Sequence, residues 1–108
     1  MDNFKAIYQI LKYLETSLDG EYFDENEVCH ERLGLTYARW ESLLIMMQDE
    51  GFIKGLTFTQ TMTDKFPHLV RPVRPRITIK GLEYLAENTM MKKAANILKG
   101  IKETVPGL

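Results

Sequence analysis

Cysteine is almost absent from this chain: Cys29 is the only one among 108 residues, which excludes an internal disulfide. There is no Cys-x-x-Cys and no His-Glu-x-x-His, so a zinc centre lacks its ligand set. Histidine is scarce as well, with His30 next to Cys29 and His68 far along the chain. A Cys29 nucleophile with a histidine partner is therefore a weaker reading than a half-buried core thiol. No glycine-rich phosphate loop occurs. No apolar run reaches the roughly 20 residues that cross a bilayer. The opening segment is amphipathic rather than basic-then-apolar, so no secretory leader is expected. These absences point to a cytoplasmic binding protein rather than an enzyme, with no metal, no cofactor and no membrane partner expected. Nothing in them names a small-molecule ligand.

What is present is ordinary in bulk and uneven in detail. Apolar residues make up 44% and charged residues 27%, enough for one core in one soluble domain spanning 1–108. The net charge of −1 hides an asymmetry: residues 1–51 carry a net −7 and residues 52–108 a net +6. Either the basic half presents an anion-binding face, or the halves neutralise each other within the fold.

The stretch Arg76 to Leu85 organises the chain. Arg76-Ile77-Thr78-Ile79 alternates like a strand, whereas Leu82, Leu85 and Ala86 share a helical side. Thr78 stands at the switch as a helix N-cap. Gly81 suits a place where another backbone comes close. Upstream, Phe4, Ile7, Leu11, Leu14 and Leu18 predict a core helix over 3–18, capped by Asp2 or Asn3 and stopped by Asp19-Gly20. Its heptad-like spacing also admits a short coiled coil, but two heptads make that the weaker reading. Glu21-Tyr22-Phe23 reads as a small strand or bridge. Asp24-x-x-Glu27 opens a short helix to about Arg32, and Leu33-Gly34-Leu35 turns the chain. Thr36 caps a third helix running to Glu50-Gly51. Trp40, Leu43, Leu44 and Met47 point inward, while Ala38, Ser42, Ile45 and Asp49 point outward. Phe52–Gln60 and Leu69–Ile79 read as two strands joined by a polar loop. Pro72 and Pro75 demand that the second be an edge strand or broken. A helix from Thr78 to about Asn88 follows, and then a separate amphipathic segment over about 89–103. Its apolar residues are Met90, Ala94, Ile97 and Ile101. Thr104-Val105-Pro106-Gly107 is expected to fray.

This order predicts an α+β, mostly α, winged helix-turn-helix: a three-helix core, a β-hairpin wing over about 52–79 and extra C-terminal helices. Three stretches resemble the YjcQ-like group of small bacterial and phage proteins. They are Ile7-Tyr8-Gln9-Ile10-Leu11 within the first helix, Leu44 through Asp49-Glu50-Gly51-Phe52-Ile53, and Ile77-Thr78-x-x-Gly81-x-x-Tyr84-Leu85. Together they span nearly the whole chain. The resemblance implies a winged-helix fold and, by analogy of fold alone, DNA binding in the manner of a transcriptional regulator; it supplies no catalytic residues.

In the usual docking mode the third helix enters the major groove and the wing touches backbone or minor groove. The helix offers Tyr37, Arg39 and Ser42, but Glu41, Asp49 and Glu50 oppose phosphates. The wing is richer: Lys54, Lys65, Arg71, Arg74 and Arg76, with Arg71-Pro72-x-Arg74-Pro75-Arg76 held on a stiff backbone. The same arginines and prolines would equally protect an edge strand from aggregation. The alternative function is a protein-interaction module without DNA binding, with Ile45 and Met46 as its surface. Met90, Ala94, Ile97 and Ile101 could close a homodimer or pack on the first helix. Membrane-surface binding fits poorly, because that face has no Trp or Phe.

Overall fold

The computed structural model describes residues 3–20 and 23–98, with side chains described as far as Asn88. The chain is a mostly helical α+β protein with two small antiparallel strand pairs, in an order consistent with a winged helix. Helix α1 (Asn3–Thr16) buries Ala6, Ile10, Leu11 and Leu14. Of the predicted stripe Leu11 and Leu14, with Ile10 beside them, are buried and Ile7 is half-buried, whereas Phe4 and Leu18 at its two ends stay exposed at 69% and 44%; Ala6 was not expected in the core. A 3-10 turn at Ser17–Asp19 follows. The predicted second helix is divided: a 3-10 turn (Glu25–Val28) and a single α-turn, α2 (His30–Leu33), meet at Cys29, whose backbone is extended. Asp24 caps the first piece by accepting from the Asn26 N–H at 3.0 Å. Cys29 is half-buried.

Helix α3 (Tyr37–Asp49) starts where Thr36 Oγ1 accepts the Arg39 N–H at 3.2 Å. It ends in a Schellman motif: the Phe52 N–H reaches Met47 O and the Gly51 N–H reaches Gln48 O, each at 2.9 Å. Gly51 sits at φ +84°, where a Cβ would be strained. Trp40, only 2% exposed, anchors the core, and its Nε1–H donates to Val28 O at 2.7 Å.

The wing departs from the two long strands expected. It consists of four two-residue strands in two separate ladders. β1 (Ile53–Lys54) pairs with β4 (Arg76–Ile77), and β2 (Phe58–Thr59) pairs with β3 (His68–Leu69). Residues 70–75, which contain both prolines in question, interrupt the second run as a residue without an N–H requires. On the other side the ladder stops at Gly55-Leu56-Thr57, and the Gln48 side chain replaces the missing strand partner. It accepts the Leu56 N–H at 2.8 Å and donates to Leu56 O at 3.1 Å.

The closing element behaves as its sequence predicts. The Thr78 hydroxyl accepts the Gly81 N–H at 3.1 Å and also donates to Gly51 O, tying the start of α4 to the end of α3. A Cβ on Gly81 would lie 2.3 Å from Phe52 O and 2.7 Å from Ile77 Cγ1, so the strand passes directly against the helix. Helix α4 (Ile79–Leu98) then runs without a break through the boundary expected near Asn88. Asn88 starts no new segment, because its side chain donates back to Tyr84 O at 2.8 Å. α4 packs on α1. Glu21 and Tyr22 of the expected short strand, the Asp2 cap, Ile101, the frayed end and the side chains of Met90, Ala94 and Ile97 lie outside the described residues; Phe23, which is described, is not in a strand.

Candidate nucleic-acid interface

The β1–β4 ladder fixes which wing cations stand together. Ile53 pairs with Ile77, and both are buried. Lys54 pairs with Arg76, so these two side chains leave the opposite face side by side and exposed. The run before β4 continues the alternation: Val73, Pro75 and Ile77 are buried, whereas Arg74 and Arg76 are exposed. Lys54, Arg74 and Arg76 therefore share one face. Among the described residues, none of the three has an ion-pair partner. Directly opposed like charges destabilise a ladder, so this face is held at some cost to the fold. Arg74 and Arg76 also line a cleft of about 210 Å³ against Leu14, Leu18 and Phe23. Lys80, which the sequence reading passed over, stands near Lys54 beside a further cleft, with its ammonium 5.7 Å from the Phe52 ring centroid.

The other candidates are distributed differently. Arg71 is directed away from this face to Glu25 Oε1 at 3.0 Å, and the same carboxylate oxygen accepts the Val73 N–H at 3.3 Å. Lys65 is exposed in the loop between β2 and β3. On α3, Tyr37, Arg39 and Ser42 are exposed, but Arg39 already donates to Asn3 Oδ1 at 2.9 Å. Arg39 and Ser42 line a second cleft of about 420 Å³, with Phe66 and His68 on its wing side.

Ile45 is a correction. It was expected to face outward, yet it is buried, at 8% exposure, within the core cluster. The cause is a second inward stripe, 41-45-48, which turns toward the wing. Glu41 is only 5% exposed. Its carboxylate accepts the Leu69 N–H at 2.8 Å and the His68 Nδ1–H at 2.9 Å. Gln48 makes the two bonds to Leu56 already described. The wing is thus latched along one flank of α3, and the arc of Ala38, Arg39, Ser42, Met46 and Asp49 stays open, with Tyr37 exposed at the start of the helix. Met46, at 52% exposure, is the only member of the proposed interface pair that is available to a partner. Phe4 and Phe66, each 69% exposed, were not expected there. At the wing tip, Asp64 Oδ2 accepts the Thr61 N–H and the Thr61 hydroxyl, each at 2.9 Å. These bonds, the backbone one first, hold its carboxyl below the ordinary 3.8.

Comparison with known proteins places this arrangement in one family. Residues 8–104 match the profile described as "YjcQ protein". The "Uncharacterized protein YjcQ" of Bacillus subtilis (strain 168) is 31% identical over 106 residues, covering 97% of this chain and 99% of the relative. No solved structure matches. Within the described residues, no helix is long and apolar enough to cross a membrane. With nearly all of both sequences aligned and the family profile covering most of the chain, this protein belongs to the YjcQ family.

Proposed function

We propose that this protein binds DNA through the β1–β4 face, gripping phosphates with Lys54, Arg74 and Arg76. The observation that carries the reading is the Lys54–Arg76 cross-strand pair, with Arg74 next in line and no carboxylate paired to any of them among the described residues. A polyanion would relieve that repulsion, and phosphate contacts of this kind supply sequence-independent affinity. Base reading is the lesser component. The open arc of α3 offers Arg39 and Ser42 as donors, and it also carries Asp49. A regulator's specificity would have to come from those two residues and from DNA shape.

Fluorescence anisotropy with a labelled random duplex tests this. Three phosphate contacts give a log–log salt slope of about −2.7. A Lys54→Ala/Arg74→Ala/Arg76→Ala variant should lose about that whole slope, whereas Arg71→Ala should change it little. Wild-type and triple-variant curves that coincide would remove the assignment.

A second reading, a protein-interaction module, is favoured by a different observation. Phe4, Met46 and Phe66 leave apolar surface around the open arc of α3.

A further inference from the structure

Lys80 stands at the start of α4, outside the ladder that carries Lys54 and Arg76, yet one cleft of about 560 Å³ joins the two elements. Its walls include Lys54 from β1, Ile79 and Lys80 from the first turn of α4, and Leu18 from the 3-10 turn after α1. Leu18 also lines the smaller cleft that holds Arg74 and Arg76. The two clefts therefore adjoin at Leu18, and each presents two cations. Lys80 is held in place. A Cβ on Gly51 would touch its Cδ at 3.6 Å, so its stem lies along the end of α3, and its ammonium stands 5.7 Å from the Phe52 ring centroid. That ring steers the charge without neutralising it. Among the described residues Lys80 has no ion-pair partner, although Glu83 follows three residues later on the same helix.

Apolar surface lies among these four cations: Ile79 is 71% exposed and Leu18 44%. Charge alone would suit any polyanion. Charge interleaved with apolar side chains suits a polymer in which phosphates alternate with sugars. We infer that Lys80 is a fourth phosphate contact, and that a duplex backbone bound at the β1–β4 face continues past Leu18 onto the start of α4. The inference rests on the DNA reading proposed above and adds to it an element that neither the wing nor α3 includes. Four contacts in place of three bring the log–log salt slope to about −3.6.

Fluorescence anisotropy of the full-length chain on the same random duplex tests the inference. Wild type gives a slope of about −3.6 and Lys80→Ala one of about −2.7. Lys80→Arg keeps the charge and with it the wild-type slope. Lys5→Ala removes an exposed lysine at the start of α1 and leaves the slope unchanged, which controls for net charge. Circular dichroism of each variant matches wild type. Lys80→Gln, whose stem still packs on Gly51, gives the same reading as Lys80→Ala should the alanine variant lose stability. The inference is overturned by a Lys80→Ala slope equal to that of wild type, or by a Lys5→Ala slope that falls as far. If the Lys54/Arg74/Arg76 triple variant loses its slope while Lys80→Ala keeps its own, this inference fails and the DNA reading stands. A wild-type chain that binds no duplex at low salt overturns both.

Discussion

Gly81 is the residue at which the fold has least freedom. Replacing a helical glycine by alanine ordinarily stabilises a helix by up to about 1 kcal/mol. Here the added Cβ would meet Phe52 O at 2.3 Å, and the obstacle is backbone that cannot rotate away. Gly81→Ala should therefore destabilise the protein by roughly 1–3 kcal/mol in urea denaturation; an unchanged or higher midpoint would contradict the close approach. A second residue-scale prediction concerns acid. The Thr61 bonds favour ionised Asp64, so its folded pKa lies below the unfolded value. The stabilisation is then complete above the ordinary 3.8 and lost as pH falls through the folded value. An NMR titration should find the Asp64 midpoint below 3.8, and Asp64→Asn should flatten this part of the acid dependence. A midpoint at or above 3.8 would remove the claim. Gly81 and Thr78 were legible in the sequence because their roles rest on local backbone geometry. Asp64 as a turn acceptor was not, since nothing in Thr61-Met62-Thr63-Asp64 separates that turn from any polar loop.

At the scale of elements, the interesting contact is the wing on α3. Glu41 is buried with both carboxylate oxygens engaged, so removing it leaves the Leu69 N–H without its acceptor. Glu41→Ala should cost about 2–3 kcal/mol, and the amide of Leu69 should exchange faster by hydrogen exchange. Glu41→Gln, which keeps one acceptor, should cost less. An unaltered exchange rate in the alanine variant would mean that the wing is held elsewhere. This contact also shows where pattern reading stopped. Helix α3 has two inward stripes, and only the apolar one, Trp40-Leu43-Leu44-Met47, announces itself by hydrophobic period. The other is Glu41-Ile45-Gln48, whose two polar residues, one buried and one half-buried, turn inward because the wing's backbone needs their oxygens and amide. With that stripe unread, Ile45 looked solvent-facing. The same blindness lengthened the strands: β-branched and aromatic residues over 52–60 match a strand, yet the Gln48 side chain takes over the pairing at Leu56. The prolines were read as demanding either an edge strand or a broken one, and the second run is broken at 70–75.

For the molecule as a whole, folding redistributes the charges that the sequence places in opposite halves. Glu25 from the acidic half takes Arg71, and Glu41 takes His68. The cations left on one face are Lys54, Arg74 and Arg76, a smaller and more compact set than the wing's composition implied. The family and the helix order were legible in motifs spread along the chain. The face was not, since only the Ile53–Ile77 register decides that Lys54 and Arg76 emerge together. The central claim is that this face meets phosphate. A titration of the isotopically labelled protein with a random DNA duplex, followed by backbone amide shifts, tests it most directly. Phosphate binding at this face should give salt-sensitive shifts concentrated at 53–54 and 73–77, with smaller ones around Arg39 and Ser42. Absent shifts at low salt, or shifts confined to the apolar surface around Phe4 and Met46, would contradict it.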